Sequence, residues 1–458
     1  MKINALIFFV TLSVSDGVIY LKRTVTRCVI LKNVTKAVIA CYDNHQELFI
    51  IRDNMSTGGT LMKVDQRRLD ILNYLFDYRG LNAKQMTAFI YMTPYFSVPN
   101  VKQVQRDLKN LVDCDYVTKF LYNEPIIDDE GVIKTQKVSM YYLTQLGYTY
   151  MLEYYNVLQG QKGSGFLIDD DFIYGDIPYT THTPPQKLVD HHLMAINCFI
   201  QMGVGGKPIP HRNNLYAAKR FNDKRLRPDA EALINGEIYF LEFDRYTENH
   251  EKLVEKFETY AAYFNTLEEK ELKRMGKIVF VVDGDGKDRR WNNVLSAYLK
   301  GIGKYLESIP LIMCESNELN TLLKYEIDQK SINNELLMEF KQDKNSKFFT
   351  LNELIVFRIV NDTNIELVTF QHQYDSTLFT RIKLLFQEAK KRNLVVSNTI
   401  TFLTVSKPKE LNLNLPHYAV TPLSVALYDF YKKAHKQYVR FPEIVVYSFD
   451  NDEDEYFY

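Results

Sequence analysis

Asn235-Gly236, set between two β-rich runs, restricts this fold more than any other feature of the sequence. A type I′ turn needs positive φ at both central residues, which Asn-Gly adopts at little cost, so the pair predicts a tight hairpin. Ile234 then faces Glu237, and each step outward sets Asp229 opposite Glu242 and Arg227 opposite Asp244. Alternation places Asp229, Glu231, Glu242 and Asp244 on one face with Arg227. Opposed residues lie roughly 4.5–5.5 Å apart at Cβ, where like charges repel. Something must offset that repulsion, and a divalent metal ion held by Asp229 and Glu242 is one candidate. A plain cross-strand ion pair between Arg227 and Asp244 is the competitor, and Asp229 could also accept backbone bonds after Pro228. Glu242 interrupts the apolar run from Ile238 to Phe243, where a carboxylate is costly unless paired or metal-bound.

The 458 residues suggest about three domains. With 46% hydrophobic and 25% charged residues there is ample material for cores. The formal net charge of −1 means that any nucleic-acid surface must be local. Cys28, Cys41, Cys114, Cys198 and Cys314 are dispersed, without a Cys-x-x-Cys pair, which argues against a disulfide framework or zinc finger and for a reducing cytoplasm. Residues 1–61 are a β-rich segment with three open readings: a hairpin around Asp16-Gly17, a signal-like run from Ile3 to Val14, or a peripheral stretch ahead of a later start. No stretch has the length of a transmembrane helix.

Residues 62–157 carry the pattern of a winged helix-turn-helix. Asp65 opens a helix with Leu69, Leu72 and Phe76 on one side, and Gly80 stops it. Asn82 caps a second helix, and Pro99-Asn100 begin a third that buries Val104, Leu108 and Leu111. Two extended runs, from Val117 to Tyr122 and from Lys137 to Leu143, flank the acidic turn Asp128-Asp129-Glu130-Gly131. In this reading the third helix lies in the major groove of double-stranded DNA. Gln103, Gln105 and Arg106 suit base edges, Lys102 and Lys109 suit phosphates, and Lys134 and Lys137 sit where a wing touches the backbone. A protein-binding winged helix, or a merely solvated polar face, is the alternative.

Residues 158–185, with their glycines, Asp169-Asp170-Asp171 and Pro184-Pro185, read as a linker. Over 186–328 the order helix, hairpin, helix, strand, helix, strand describes a mixed sheet flanked by helices. His192 falls on the apolar stripe of the first of these helices, as a core histidine would. Asp283-Gly284-Asp285-Gly286 lacks a phosphate-loop ending and reads as a turn. Residues 329–448 look like a further α/β unit without chemistry, suited to oligomerisation or contact with a replication protein, and 449–458 form an acidic tail. The fold class is α/β, multidomain.

Pro228-Asp229 on one strand and Glu242-x-Asp244 on the next resemble the PD-(D/E)xK nuclease-like fold. That resemblance implies Mg²⁺ or Mn²⁺ on Asp229 and Glu242 and a phosphodiester as substrate. Asp244 stands where the fold carries Lys; it could assist as a third acid but cannot replace the cation. Lys256, on the following helix, could supply the charge, with a solvated helix flank as its bland alternative. Together with the winged helix, Arg227-Pro228-Asp229-Ala230, the run from Phe240 to Glu248, Lys256, Tyr260, His192 and Asn197 resemble the replication-relaxation family of plasmids and other mobile elements. The resemblance implies DNA binding and a role in plasmid replication or DNA relaxation, with a nuclease-like domain that is either an inactive scaffold or a metal-dependent nickase. A repressor or interaction factor without nuclease activity is the further alternative.

Overall fold

The structure is a computed structural model. It describes residues 62–403 apart from 95–96, 128–132, 167–172, 205–207, 220–225, 246–247, 284–286, 341–345, 353–354 and 371–375, and beyond that span only the strands at 3–5, 14–15, 18–19, 25–30, 38–43, 48–52 and 418–422. Strands 25–30, 38–43, 48–52 and 62–64 pair antiparallel in series, with 3–5 on the outer side of the first. Strands 14–15 and 18–19 pair across Asp16-Gly17, which itself lies outside the described residues. The acidic tail at 449–458 and the end of the expected α/β unit, residues 423–448, also lie outside them.

The chain divides into two compact units, one of residues 1–159 and 177–187, the other of 160–176 and 188–458. The stretch read as a linker is therefore shared between them, and most of it is ordered by contacts within its own unit.

In the first unit, α1 (Gln66–Tyr78), α2 (Ala83–Tyr91) and α3 (Val98–Asp113) precede an antiparallel pair, β1 (Val117–Ile127) and β2 (Ile133–Leu143), and then α4 (Gln145–Tyr154). Each helix starts where its sequence offers a cap. Asp65 accepts from the Arg68 amide at 3.0 Å, Asn82 and Gln85 form a reciprocal box, Ser97 with Pro99 opens α3, and Thr144 opens α4. Leu72, Leu75, Phe76, Met86, Leu108, Leu111 and Met140 are buried in this unit. The segment at 177–187 docks on the same unit. Arg79 donates to the carbonyls of Thr181, His182 and Thr183 at 2.9, 3.1 and 2.6 Å, and His182 bonds the Phe76 carbonyl at 2.8 Å.

In the second unit, α5 (Val189–Gly203) leads through β3 (His211–Asn213) into β4 (Ala230–Ile234) and β5 (Glu237–Asp244). Then follow α6 (His250–Phe264), β6 (Met275–Val282), α7 (Lys287–Gly301), β7 (Leu311–Cys314) and α8 (Leu319–Phe340). The sheet order is β3-β4-β5-β6-β7, antiparallel up to β5 and parallel beyond it, where α6 and α7 make the crossovers. The chain continues as β8 (Ser346–Asn352), β9 (Ile355–Val360), β10 (Asn364–Phe370), α9 (Thr377–Arg392), β11 (Val395–Leu403) and β12 (Tyr418–Pro422), which make a second five-stranded mixed sheet. Phe240, Phe257, Phe280 and Tyr298 share one hydrophobic core with Phe357, Ile365, Leu367 and Ile382, so the two sheets are packed as one body.

Candidate functional site

On α3, Lys102, Gln105, Arg106 and Lys109 are exposed, and their three- and four-residue spacing places them on one side of the helix. Gln103 is withdrawn from that face. Its amide donates to Asp107 at 3.3 Å, the same carboxylate that accepts from Arg67 of α1 at 2.6 Å. Residues 103 and 107 are helical neighbours turned toward α1, so Gln103 helps hold the helices together and leaves the reading face to the other four. Lys134 and Lys137 are exposed on β2, and Lys137 pairs across the ladder with Asn123.

The hairpin in the second unit has the register read from its turn. Ile234 pairs with Glu237 and Ala230 with Leu241, and Asn235 and Gly236 have φ of 51° and 84°. The ladder ends at Ala230, so Asp229 stands just beyond it and turns a carboxylate oxygen to the Phe243 amide at 2.9 Å. The same oxygen lies 3.3 Å from His191 Nε2 on α5. This contact raises the pKa of His191 against the opposing effect of burial. Glu242 is nearly inaccessible. Its Oε1 accepts from the Tyr260 hydroxyl at 2.6 Å, and its Oε2 lies 3.1 Å from Lys256 Nζ, which also reaches Glu248 at 3.1 Å. Lys256 is thus an ion-paired member of the cluster and no solvated helix flank.

Burial pushes the Glu242 carboxyl upward, with Lys256 pulling it down and Asp229 adding to the rise; the net shift is upward. Burial also opposes the Lys256 ammonium, but Glu242, Glu248 and Asp229 outweigh it and hold it above the usual lysine value.

Two expectations for the acid face are corrected. Arg227 is exposed, while Asp244 is paired in the interior with Arg290 of α7, through Nε to Oδ2 and through Nη2 to Oδ1 at 2.8 Å. A guanidinium approaching from a packed helix can form this fork in a dry site, which an edge residue beyond the end of the ladder cannot. Glu231 belongs to the same sequence alternation, but its carboxyl is bound elsewhere. It accepts from the amides of Phe166 at 2.6 Å and Ala218 at 2.8 Å, and burial lifts its pKa to about 7 against those bonds.

These residues do not fit a divalent ion as they stand. Both oxygens of Glu242 are engaged, one by a phenol and one by an ammonium, and Asp244 is locked by Arg290. Among the described residues, no group of three or more His, Cys, Asp or Glu is arranged to hold a metal.

His191 and Arg290 were not legible as site residues. A signal for Arg290 exists, since it lies on the buried stripe of α7 with Val294 and Tyr298, where a charge needs a partner. His191 had a weaker signal, as the member of the His191-His192 pair that turns off the apolar stripe; His192 is buried, as read, and Asn197 is exposed. Asp283 accepts from the amide of Ser316, 33 positions further along the chain, at 3.1 Å, and the rest of the expected turn, residues 284–286, lies outside the described residues.

The stretch from within α1 to within β6 carries both the α3 face and the acid hairpin. Residues 72–280 match the replication-relaxation family model. The resemblance read from the sequence holds over that stretch. The replication-relaxation region thus includes Asp229, Glu242, Asp244 and Lys256, whereas Arg290, the partner of Asp244, lies beyond it. No curated protein and no solved structure matches the chain. Among the described residues, no helix is long and apolar enough to cross a membrane.

Proposed function

We propose that this chain is a DNA-binding protein that acts in the replication or relaxation of a plasmid or other mobile element, with double-stranded DNA as its partner. In this reading α1–α3 with β1 and β2 form a winged helix-turn-helix, and the β3–β7 sheet with its helices is a nuclease-like scaffold of PD-(D/E)xK type. The observation that carries the reading is the exposed row Lys102, Gln105, Arg106 and Lys109 along one side of α3, followed by Lys134 and Lys137 on the strand after it. Arg supplies paired donors and Gln a donor with an acceptor for base edges, and the lysines supply phosphate contacts. The engagement of Glu242 by Lys256 and Tyr260 favours a scaffold over a phosphodiesterase.

Filter binding against a selected site and random duplexes tests this. Arg106→Ala should weaken the selected site by about 1–3 kcal/mol more than random DNA. Lys109→Ala should weaken both alike and reduce the salt slope by about 0.9. Absence of salt-dependent DNA binding by the wild-type chain would overturn the reading in favour of a protein-interaction winged helix. The rival enzyme, a Mg²⁺- or Mn²⁺-dependent nickase using Asp229, Glu242, Asp244 and Lys256, requires nicking of supercoiled plasmid that vanishes in Asp229→Ala and Glu242→Ala.

A further inference from the structure

Lys256 of α6 bridges two carboxylates, those of Glu242 at the end of β5 and Glu248 in the turn before α6, and Asp229 just ahead of β4 adds its negative charge to the surroundings of both Glu242 and Lys256. The cluster is partly exposed. Asp229, Glu248 and Lys256 keep 21%, 30% and 25% of their side-chain surface, while Glu242 keeps 4%. Acids gathered about one ammonium would repel one another strongly in a poorly solvated site without it. One ammonium bridges two of them, with Lys256 Nζ 3.1 Å from both Glu242 Oε2 and Glu248 Oε2. The ammonium is itself fixed, because Tyr260 and Lys256, four residues apart on α6, bind the two oxygens of the same carboxylate. Arg290 braces the edge of the cluster through Asp244 and the Glu248 carbonyl, without entering the acid group.

We propose that Lys256 is the resident counter-cation of this cluster, standing where a divalent ion would otherwise neutralise the acids. The second unit then keeps its acid cluster without metal, and removal of the ammonium leaves the Glu242 and Glu248 carboxylates as uncompensated charge able to recruit Mn²⁺ or Mg²⁺. The inference concerns the second unit and is independent of DNA reading by α3.

Mn²⁺ titration of the full chain, read from the free-ion electron paramagnetic resonance signal, provides the test. Wild type and Glu242→Gln should take up Mn²⁺ equally weakly, since Glu242 is already neutralised. Lys256→Met should gain saturable binding at least about tenfold tighter than wild type, lost again when Glu242→Gln is added, and Mn²⁺ should raise its melting temperature. Wild-type uptake that disappears in Glu242→Gln would overturn the proposal, and so would a folded Lys256→Met that binds Mn²⁺ no better than wild type. If Lys256→Met does not fold, the comparison passes to Lys256→Arg, which keeps the charge. Mn²⁺ indifference in that variant supports the proposal, and specific uptake by it overturns the proposal.

Discussion

Asp244 and Arg290 are buried together as a forked pair, so losing either partner strands a charge in the interior. Arg290→Met should cost about 3–5 kcal/mol in urea unfolding, whereas Arg227→Ala at its exposed position should stay within about 0.5 kcal/mol. A larger loss for Arg227→Ala than for Arg290→Met would restore the cross-strand pair read from the hairpin register. His182 makes a second residue-scale case. Burial lowers its pKa to about 4, and its ring bonds the Phe76 carbonyl while packing on Phe76 and Tyr148. The unfolded histidine takes a proton near pH 6.5 and the folded one near 4. Stability is therefore complete above 6.5 and falls as pH drops toward 4, by about 3 kcal/mol at most. His182→Phe should flatten the stability curve across that window, and an unchanged slope would remove His182 as its source. Buried pairings of this kind are poorly legible in sequence, because Arg290 meets Asp244 from 46 positions away in the chain.

Elements were more legible than contacts. Asn235-Gly236 and the Asn82 cap each impose a local geometry, and their boundaries fall where those residues place them, whereas α3 starts at Val98 on a Ser97 cap, one residue before the expected Pro99. The α3 face was legible from helical spacing, except for Gln103, whose direction depends on where Asp107 and the α1 arginines lie. The long α8 and the β8–β9 hairpin went unread, having no Asn-Gly or comparable punctuation. Gly165 marks another tertiary requirement. A Cβ there would fall 2.2 Å from Glu231 Oε1 and 2.8 Å from the Tyr216 carbonyl. Gly165→Ala should therefore destabilise the second unit by about 1–3 kcal/mol by displacing the segment whose Phe166 amide binds Glu231. Thermal unfolding of that variant, unchanged within error, would show that the segment can yield.

At the scale of the molecule, the core decides what unfolds together. Phe280 of the first mixed sheet and Phe357 of the second are fully buried in one cluster, so Phe280→Ala and Phe357→Ala should move the same unfolding transition, each by about 3–5 kcal/mol. Leu72→Ala, buried in the other unit, should move a separate one by about 2–5 kcal/mol. Calorimetry in which Phe357→Ala shifted a transition of its own would divide the second unit. The α/β class, the helix–hairpin–helix–strand–helix–strand order around the acid hairpin and that hairpin's register were determined by the sequence alone, because turns, caps and periodicity act over a few residues. Which cation meets which acid was decided only by the tertiary structure. Lys256 reaches Glu242 and Arg290 reaches Asp244 because α6 and α7 pack beside β5, and helix packing sets those distances through side chains far apart in the chain.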